Sequence, residues 1–427
     1  MAITGRVGVL ALIGVLVVAF ALPSWTGVVV VLAAILLLVL GDLALAGGVR
    51  GLTFTRSDTA SARLGEPVET RLSITNPGSR AVRGLVRDAW PPSAGAEQER
   101  HRVDIPAGER RTIVVTMRPT RRGERQADRV TVRSVGPLGL AARQGSHRVS
   151  GSVRTLPPFH SRKHLPSRLA RLQQLDGRQA ALVRGEGTEF DSLREYVVGD
   201  DVRSIDWRAT ARASDVMVRT WRPERDRRLL LVLDTGRTSA GRVGDAPRLD
   251  AAMEAALLLA TLASRAGDRV DFLAYDRIVR AHVPSANVTS MVNAMAPLEP
   301  SLVETDARGM VAQVLRRARH RSLVVLFTGL DAAPLEAGLL PVLPSLTTRH
   351  RLLVASVADP RIAEMAQGRE SAEAVYEAAA AERALGERRH VTGSLARAGV
   401  EVVDALPDEL APALADRYLM LKAAGRL

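Results

Sequence analysis

At 427 residues the chain exceeds one typical domain of ~150 residues, and its 46% hydrophobic and 25% charged composition is that of a folded protein. Cysteine is absent, which excludes disulfides, thiolate nucleophiles and cysteine-ligated zinc or iron–sulfur centres. The formal charge of +13 calls for an anionic neighbour, but dispersed arginines and only 3% aromatics predict an anionic membrane leaflet and not nucleic acid.

From Val7 to Gly41 no side chain is charged. Thirty-five such residues make ~52 Å of helix, too long for one ~30 Å hydrocarbon span. Pro23, Ser24, Trp25, Thr26 and Gly27 break the run, so the expectation is a transmembrane hairpin within 1–48, with helices from about Ile3 to Leu22 and from Val28 to Ala46. Arg6 precedes the first span, Arg50 and Arg56 follow the second, and the turn is uncharged, which places both ends in the cytoplasm. The competing reading is a signal peptide with Ala19-Phe20-Ala21 as its cleavage site.

Residues 49–155 read as short strands. Val68 to Ile74 alternates apolar and polar side chains before an Asn76-Pro77-Gly78-Ser79 turn, and Thr112 to Met117 and Arg129 to Val135 repeat the alternation. A small β-sandwich is expected, acting as spacer or interaction module. Residues 156–188 read as a basic linker with a short helix near Ser167 to Leu175.

Beyond it the period changes. Leu229 to Leu233 is a continuous apolar run ending in Asp234, the pattern of a strand buried on both faces. Leu249 to Arg265 is helical, with Leu249, Met253, Ala256 and Ala260 on one stripe; Val270 to Tyr275 and Ile278 to Val283 form a strand pair turning at Asp276-Arg277. A helix from Ala307, strands at Leu323 to Phe327 and Leu352 to Val357, an Ala/Glu-rich helix over Glu370 to Leu385, a short strand from Val400 and a closing helix from Asp408 complete the alternation. This predicts a mostly parallel α/β sheet within 189–427, with ligands at the carboxyl ends of its strands.

Those ends carry Asp234-Thr235-Gly236-Arg237-Thr238, Thr305-Asp306 and Thr328-Gly329-Leu330-Asp331, oxygen donors of the kind a hard cation takes. The pattern resembles the metal-ion-dependent adhesion site of von Willebrand factor A domains. Asp234, Thr238 and Thr305 match that motif; Gly236 stands where its first serine belongs and Gly329 where its later aspartate belongs. The resemblance implies a von Willebrand factor A-like (Rossmann-type) domain and weak Mg²⁺ or Mn²⁺ binding through these three residues, completed by a partner's acidic side chain. The eight histidines show no ligand spacing, and no Gly-x-Ser-x-Gly elbow is present.

The stretch from Glu189 to Arg212, EFDSLREYVVGDDVRSIDWRATAR, resembles the signature of the domain-of-unknown-function 58 family. The two apolar runs, Arg121-Arg122-Gly123, and Gly136-Pro137-Leu138-Gly139-Leu140 (usually Asp-Pro-Phe-Gly-Leu) extend the resemblance over most of the chain. Members are typically encoded beside MoxR-type AAA+ ATPases. The resemblance therefore implies a non-enzymatic, multi-pass inner-membrane partner or adaptor of such an ATPase, with its soluble domains cytoplasmic, serving chaperone-like complex assembly or envelope maintenance among other membrane proteins. No Gly-x-x-x-x-Gly-Lys-Ser/Thr loop is present, so any nucleotide hydrolysis belongs to the partner.

Within the signature, Glu189, Asp200, Asp201, Arg203, Asp206 and Trp207 have two readings: a docking surface, or an ion-pair network pinning the segment while Phe190, Leu193, Ile205 and Trp207 are buried. The rival to an interaction protein is a metal-assisted hydrolase acting at the membrane, with Asp234, Asp306 and Asp331 as the acids available for general-base work.

Overall fold

The computed structural model describes residues 2–57, 59–182, 189–213, 215–222 and 227–425, with the side chains of 176–182, 189–191 and 220–222 outside that description. Two compact units result, Met1–Leu156 and Pro157–Leu427.

The first unit opens with a two-residue strand β1 (Ala2–Ile3) and two apolar helices, α1 (Gly5–Phe20) and α2 (Trp25–Leu45). Ser24 caps α2 by accepting the Gly27 amide. At 21 residues α2 is long and apolar enough to cross a membrane, whereas α1 has 16 residues, ~24 Å of helix. Val15, Leu16, Val29, Leu36 and Leu37 are exposed, an unfavourable state for apolar side chains in water.

Ten further strands follow: β2 (Thr53–Arg56), β3 (Ala60–Arg63), β4 (Val68–Thr75), β5 (Val82–Asp88), β6 (Arg100–Ile105), β7 (Arg110–Met117), β8 (Gly123–Gln126), β9 (Val130–Val135), β10 (Ala141–His147) and β11 (Ser152–Leu156). They form sheets ordered β1-β10-β9-β5-β6, β2-β4-β7 and β3-β11-β8. The period-2 alternation of β4 puts Val68, Thr70, Leu72 and Ile74 inward, where Leu72 and Ile74 meet Val82, Val86, Ile105, Met117 and Val132 in one core. The pair Arg56–Asp88 closes one side at 2.7 Å with both side chains buried, and Asp88 also accepts the Trp90 indole N–H.

A residue that the apolar count stopped short of joins hairpin to sheet. Asp42, buried in the last turns of α2, accepts the amides of Leu138 (2.7 Å), Leu140 (2.7 Å) and Ala141 (2.8 Å). A Cβ at Gly136 would stand 2.3 Å from the Asp42 Oδ1, so this turn tolerates only glycine there. From the other end Thr4 Oγ1 donates to the Gly139 carbonyl, Arg6 to the Leu138 carbonyl, and Ile3 pairs with Ala141. Both helix ends are thus tied to one loop, Gly136–Ala141.

In the second unit, residues 165–182, placed in the linker by composition, form helix α3 (Leu165–Leu182). Leu165 and Leu172 are buried, and Arg168 pairs with Asp416 at 2.8 Å, because the helix's apolar side has a partner surface within this unit. Strands β12 (Glu189–Glu195) and β13 (Met217–Arg222) pair antiparallel, with helix α4 (Trp207–Thr210) between them. After them come β14 (Arg228–Asp234), α5 (Arg237–Ala240), the two-residue strands β15 (Arg242–Val243) and β16 (Ala246–Pro247), and α6 (Arg248–Arg265). Strands β17 (Arg269–Tyr275), β18 (Val279–Val283), β19 (Leu323–Phe327), β20 (Arg351–Val357) and β21 (Glu401–Ala405) complete one sheet ordered β18-β17-β14-β19-β20-β21. All neighbours are parallel except β17 and β18.

Counting from β14, the order is 3-2-1-4-5-6, the doubly wound arrangement whose direction reverses between its first and fourth strands. Helix α6 is buried on nearly every side, Leu257, Leu258, Leu259 and Leu262 as well as the expected stripe, because it lies between the sheet and the helix Pro407–Ala423.

Candidate functional site

The sheet's reversal point brings together what the sequence scattered. Asp234 ends β14, and Thr328 follows β19 directly. Asp234, 3% exposed, accepts the Gly236 amide (2.8 Å) and the Thr305 hydroxyl on Oδ1, and the hydroxyls of Thr238 (3.0 Å) and Thr328 (2.6 Å) on Oδ2. So Asp234, Thr238 and Thr305 meet in one hydrogen-bonded cluster, with Thr328 as a fourth member. The signal for it was its place immediately after a five-residue apolar strand, at the same end of the sheet as Asp234.

Whether a divalent cation suits this cluster turns on its donors. The carboxylate's four acceptor positions already hold one N–H and three O–H donors. The glycine positions do not open toward a fuller motif. A Cβ at 236 would lie 2.1 Å from the Thr305 Oγ1, and one at 329 would lie 2.8 Å from Asp331 Oδ2 and 3.6 Å from an Arg248 guanidinium nitrogen. Arg248, 15% exposed, faces Asp331 at 3.7 Å, so the positive charge beside this loop is an arginine. Asp306 is occupied as the N-cap of the helix Ala307–Arg317, accepting the Gly309 amide. The cleft over the cluster holds ~30 Å³, about one water, and its rim carries the Arg237–Glu304 pair at 2.7 Å. As it stands the cluster offers one carboxylate, with an arginine beside the neighbouring loop, and it forms a hydrogen-bonded clasp joining the loops after β14 and β19 to Thr305. Among the described residues no group of three or more His, Asp or Glu side chains is placed to hold a metal.

The signature segment is a second candidate. Asp200 accepts from Arg194 Nη2 (2.5 Å) and from the Val197 amide (2.9 Å). Asp206 caps α4 through the Arg208 and Ala209 amides and takes Arg219 Nε at 2.8 Å. The Arg194 hydrogen bond, then the Val197 amide, holds the Asp200 carboxyl below the usual range, and the Arg219 hydrogen bond, then the Ala209 amide, does the same for Asp206. Among the described residues the Asp201 carboxylate accepts the Arg203 amide (2.9 Å), and the Arg203 side chain is exposed. The Glu189 and Phe190 side chains lie outside the described residues.

Asp200 and Asp206 thus shape the segment locally. The burial that went with the network reading fails for Trp207, 67% exposed, and for Leu193, while Ile205 is half-buried; Val197 (61%), Val198 (94%) and Val202 (62%) are exposed as well. Aromatic and β-branched residues suggested a core; here the two-stranded ribbon is too small to cover them.

The family model described as "Protein of unknown function DUF58" matches residues 192–378, spanning both candidate sites. Uncharacterized proteins of Mycobacterium tuberculosis and Mycobacterium bovis are 28% identical over 197 residues, 45% of this chain, and the match spans 61% of their length. Among solved structures, the vWF domain of the type V pili tip protein Mfa5 from Porphyromonas gingivalis is 10% identical, over 47% of this chain and 96% of that one, with a TM-score of 0.27. The CARDB domain of the PF1109 protein from Pyrococcus furiosus is 16% identical, over 24% of this chain and 93% of that one, with a TM-score of 0.18.

Proposed function

We propose that this chain is a membrane-anchored protein-interaction module, not an enzyme, and that its docking surface is the segment from Tyr196 to Trp207. The observation that carries the reading is the exposure of Val197, Val198, Val202 and Trp207 on a segment whose shape is fixed by Asp200 and Asp206. A folded protein gains nothing by holding apolar side chains rigidly in water; a partner that covers them does, and tryptophan is the residue most often found at the centre of such contacts. In keeping with the family resemblance, the partner is a MoxR-type AAA+ ATPase, which supplies the nucleotide chemistry this chain has no loop for, in chaperone-like complex assembly or envelope maintenance.

The doubly wound sheet is read as a von Willebrand factor A-like domain whose adhesion motif has become a structural clasp, without need of Mg²⁺ or Mn²⁺. The anchor is the hairpin of α1 and α2, multi-pass in the inner membrane with both ends cytoplasmic. The short α1 spans by local thinning of the bilayer around it. Binding of the purified ATPase to the full-length chain in nanodiscs tests the reading: Trp207→Ala and Val198→Ser should each weaken it at least tenfold, and unchanged affinity in both variants rejects this surface.

A further inference from the structure

Four arginines surround the place where the hairpin meets the β-rich sheets. Arg143 Nε donates to the Leu43 carbonyl (3.1 Å) and Arg80 to the Ala44 carbonyl, both in the last turn of α2. Arg6 donates to the Leu138 carbonyl (3.1 Å) and Arg133 to the Ile3 carbonyl (3.4 Å). These carbonyls belong to one small region: Leu43 and Ala44 follow Asp42, Asp42 binds the amides of Leu138, Leu140 and Ala141, and Ala141 pairs with Ile3. Helix C-terminal carbonyls attract cations, which explains why Arg80 and Arg143 point there but not why Arg6 and Arg133 join them.

Each guanidinium has five N–H donors, and among the described residues none of the four pairs with a carboxylate. Asp42, the acid in their midst, already accepts three amides, so the collar holds four positive charges against one negative. Leu138, 51% exposed, stands at its tip. Arginines clustered beside an exposed apolar tip, where an apolar hairpin ends, are the pattern of a membrane interface, and guanidinium binds phosphate bidentately.

We propose that Arg6, Arg80, Arg133 and Arg143 form a binding site for the headgroup phosphates of anionic phospholipid, with Leu138 inserted among the acyl chains. This rests on the reading of the hairpin as a membrane anchor. It assigns the positive charge near the helix ends a defined ligand, beyond a general attraction to the leaflet.

The test uses the full-length chain in detergent, with phosphatidylglycerol and phosphatidylcholine added together and retained lipid counted by native mass spectrometry. Phosphatidylglycerol should be retained over phosphatidylcholine, and each of Arg6→Gln, Arg80→Gln, Arg133→Gln and Arg143→Gln should lower that preference about fivefold, the value of ~1 kcal/mol per arginine at an anionic surface. Arg71→Gln and Arg102→Gln, exposed elsewhere on the same sheets, should leave it unchanged. Equal retention of the two lipids overturns the proposal, as does an equal loss in the collar and control variants, or displacement of the lipid by inorganic phosphate. If Arg80→Gln or Arg143→Gln melts the fold by circular dichroism, Arg6→Gln and Arg133→Gln carry the decision. Carbonate extraction of native membranes judges the anchor separately: release of the chain defeats the spanning reading whatever the lipid counts show.

Discussion

The carboxylate of Asp42 accepts the amide of Leu138 at 2.7 Å, across ninety-six positions of sequence. Through it the second helix grips the Gly136–Ala141 loop of the β-rich sheets, so α2 and the sheets are joined by side-chain hydrogen bonds as well as by the chain. Asp42→Ala leaves three amides without their acceptor, and hydrogen bonds to a charged group contribute about 1.5–3 kcal/mol each. The expected loss is ~3 kcal/mol or more, seen as a lower melting temperature of the full-length chain in detergent and faster proteolysis within residues 49–156.

The pH response of the signature segment follows from Asp200 and Asp206. Both carboxyls titrate below their ordinary value near 3.8 when folded, so the folded segment is favoured above the unfolded-state value and loses that advantage as pH falls through the folded one. Trp207 fluorescence should therefore hold steady from neutral pH down to the ordinary carboxylate range and change below it. In Asp206→Asn the Arg219 pair is gone, and the step at acid pH should shrink.

Asp201 and Asp200 should separate in mutation. Asp201→Lys breaks one amide contact on an exposed turn and should leave the melting temperature within about 0.5 kcal/mol equivalent of the parent. Asp200→Lys places a cation against Arg194 and should loosen the turn, measured as faster amide exchange at Val197.

At the strand ends, Asp234→Ala strands three hydroxyls and the Gly236 amide in a cleft of about one water. A loss of ~3 kcal/mol is expected by denaturant unfolding, while Thr328→Ala should cost about 1 kcal/mol. Isothermal titration of the parent with Mg²⁺ or Mn²⁺ should give no heat at millimolar metal; a saturable heat that Asp234→Asn removes would restore a metal role to the site.

The α/β alternation was legible because buried parallel strands are continuous apolar runs: Leu229 to Leu233 and Leu323 to Phe327 both became sheet interior. The convergence of Asp234 with Thr305 was legible only through a motif, because seventy-one positions separate them and periodicity carries no information on which loops meet. Thr328 was visible as a loop but not as a ligand of Asp234. Asp42 escaped because a single acid at the edge of an apolar run reads as the end of a span, and its partners are backbone amides, which every residue has. The burial expected of Trp207 failed for a physical reason: composition tells what a residue prefers, not whether enough neighbouring chain exists to cover it.

What covers Val198 decides between a docking surface and a bare turn. A photocrosslinking amino acid placed at Val198 of the full-length chain in native membranes should capture a AAA+ ATPase, identified by mass spectrometry, while the same group at Tyr376, 79% exposed on the helix Ala372–Arg397, should not. Equal capture at both positions, or no ATPase at Val198 with the chain folded and in the membrane, would contradict the docking surface.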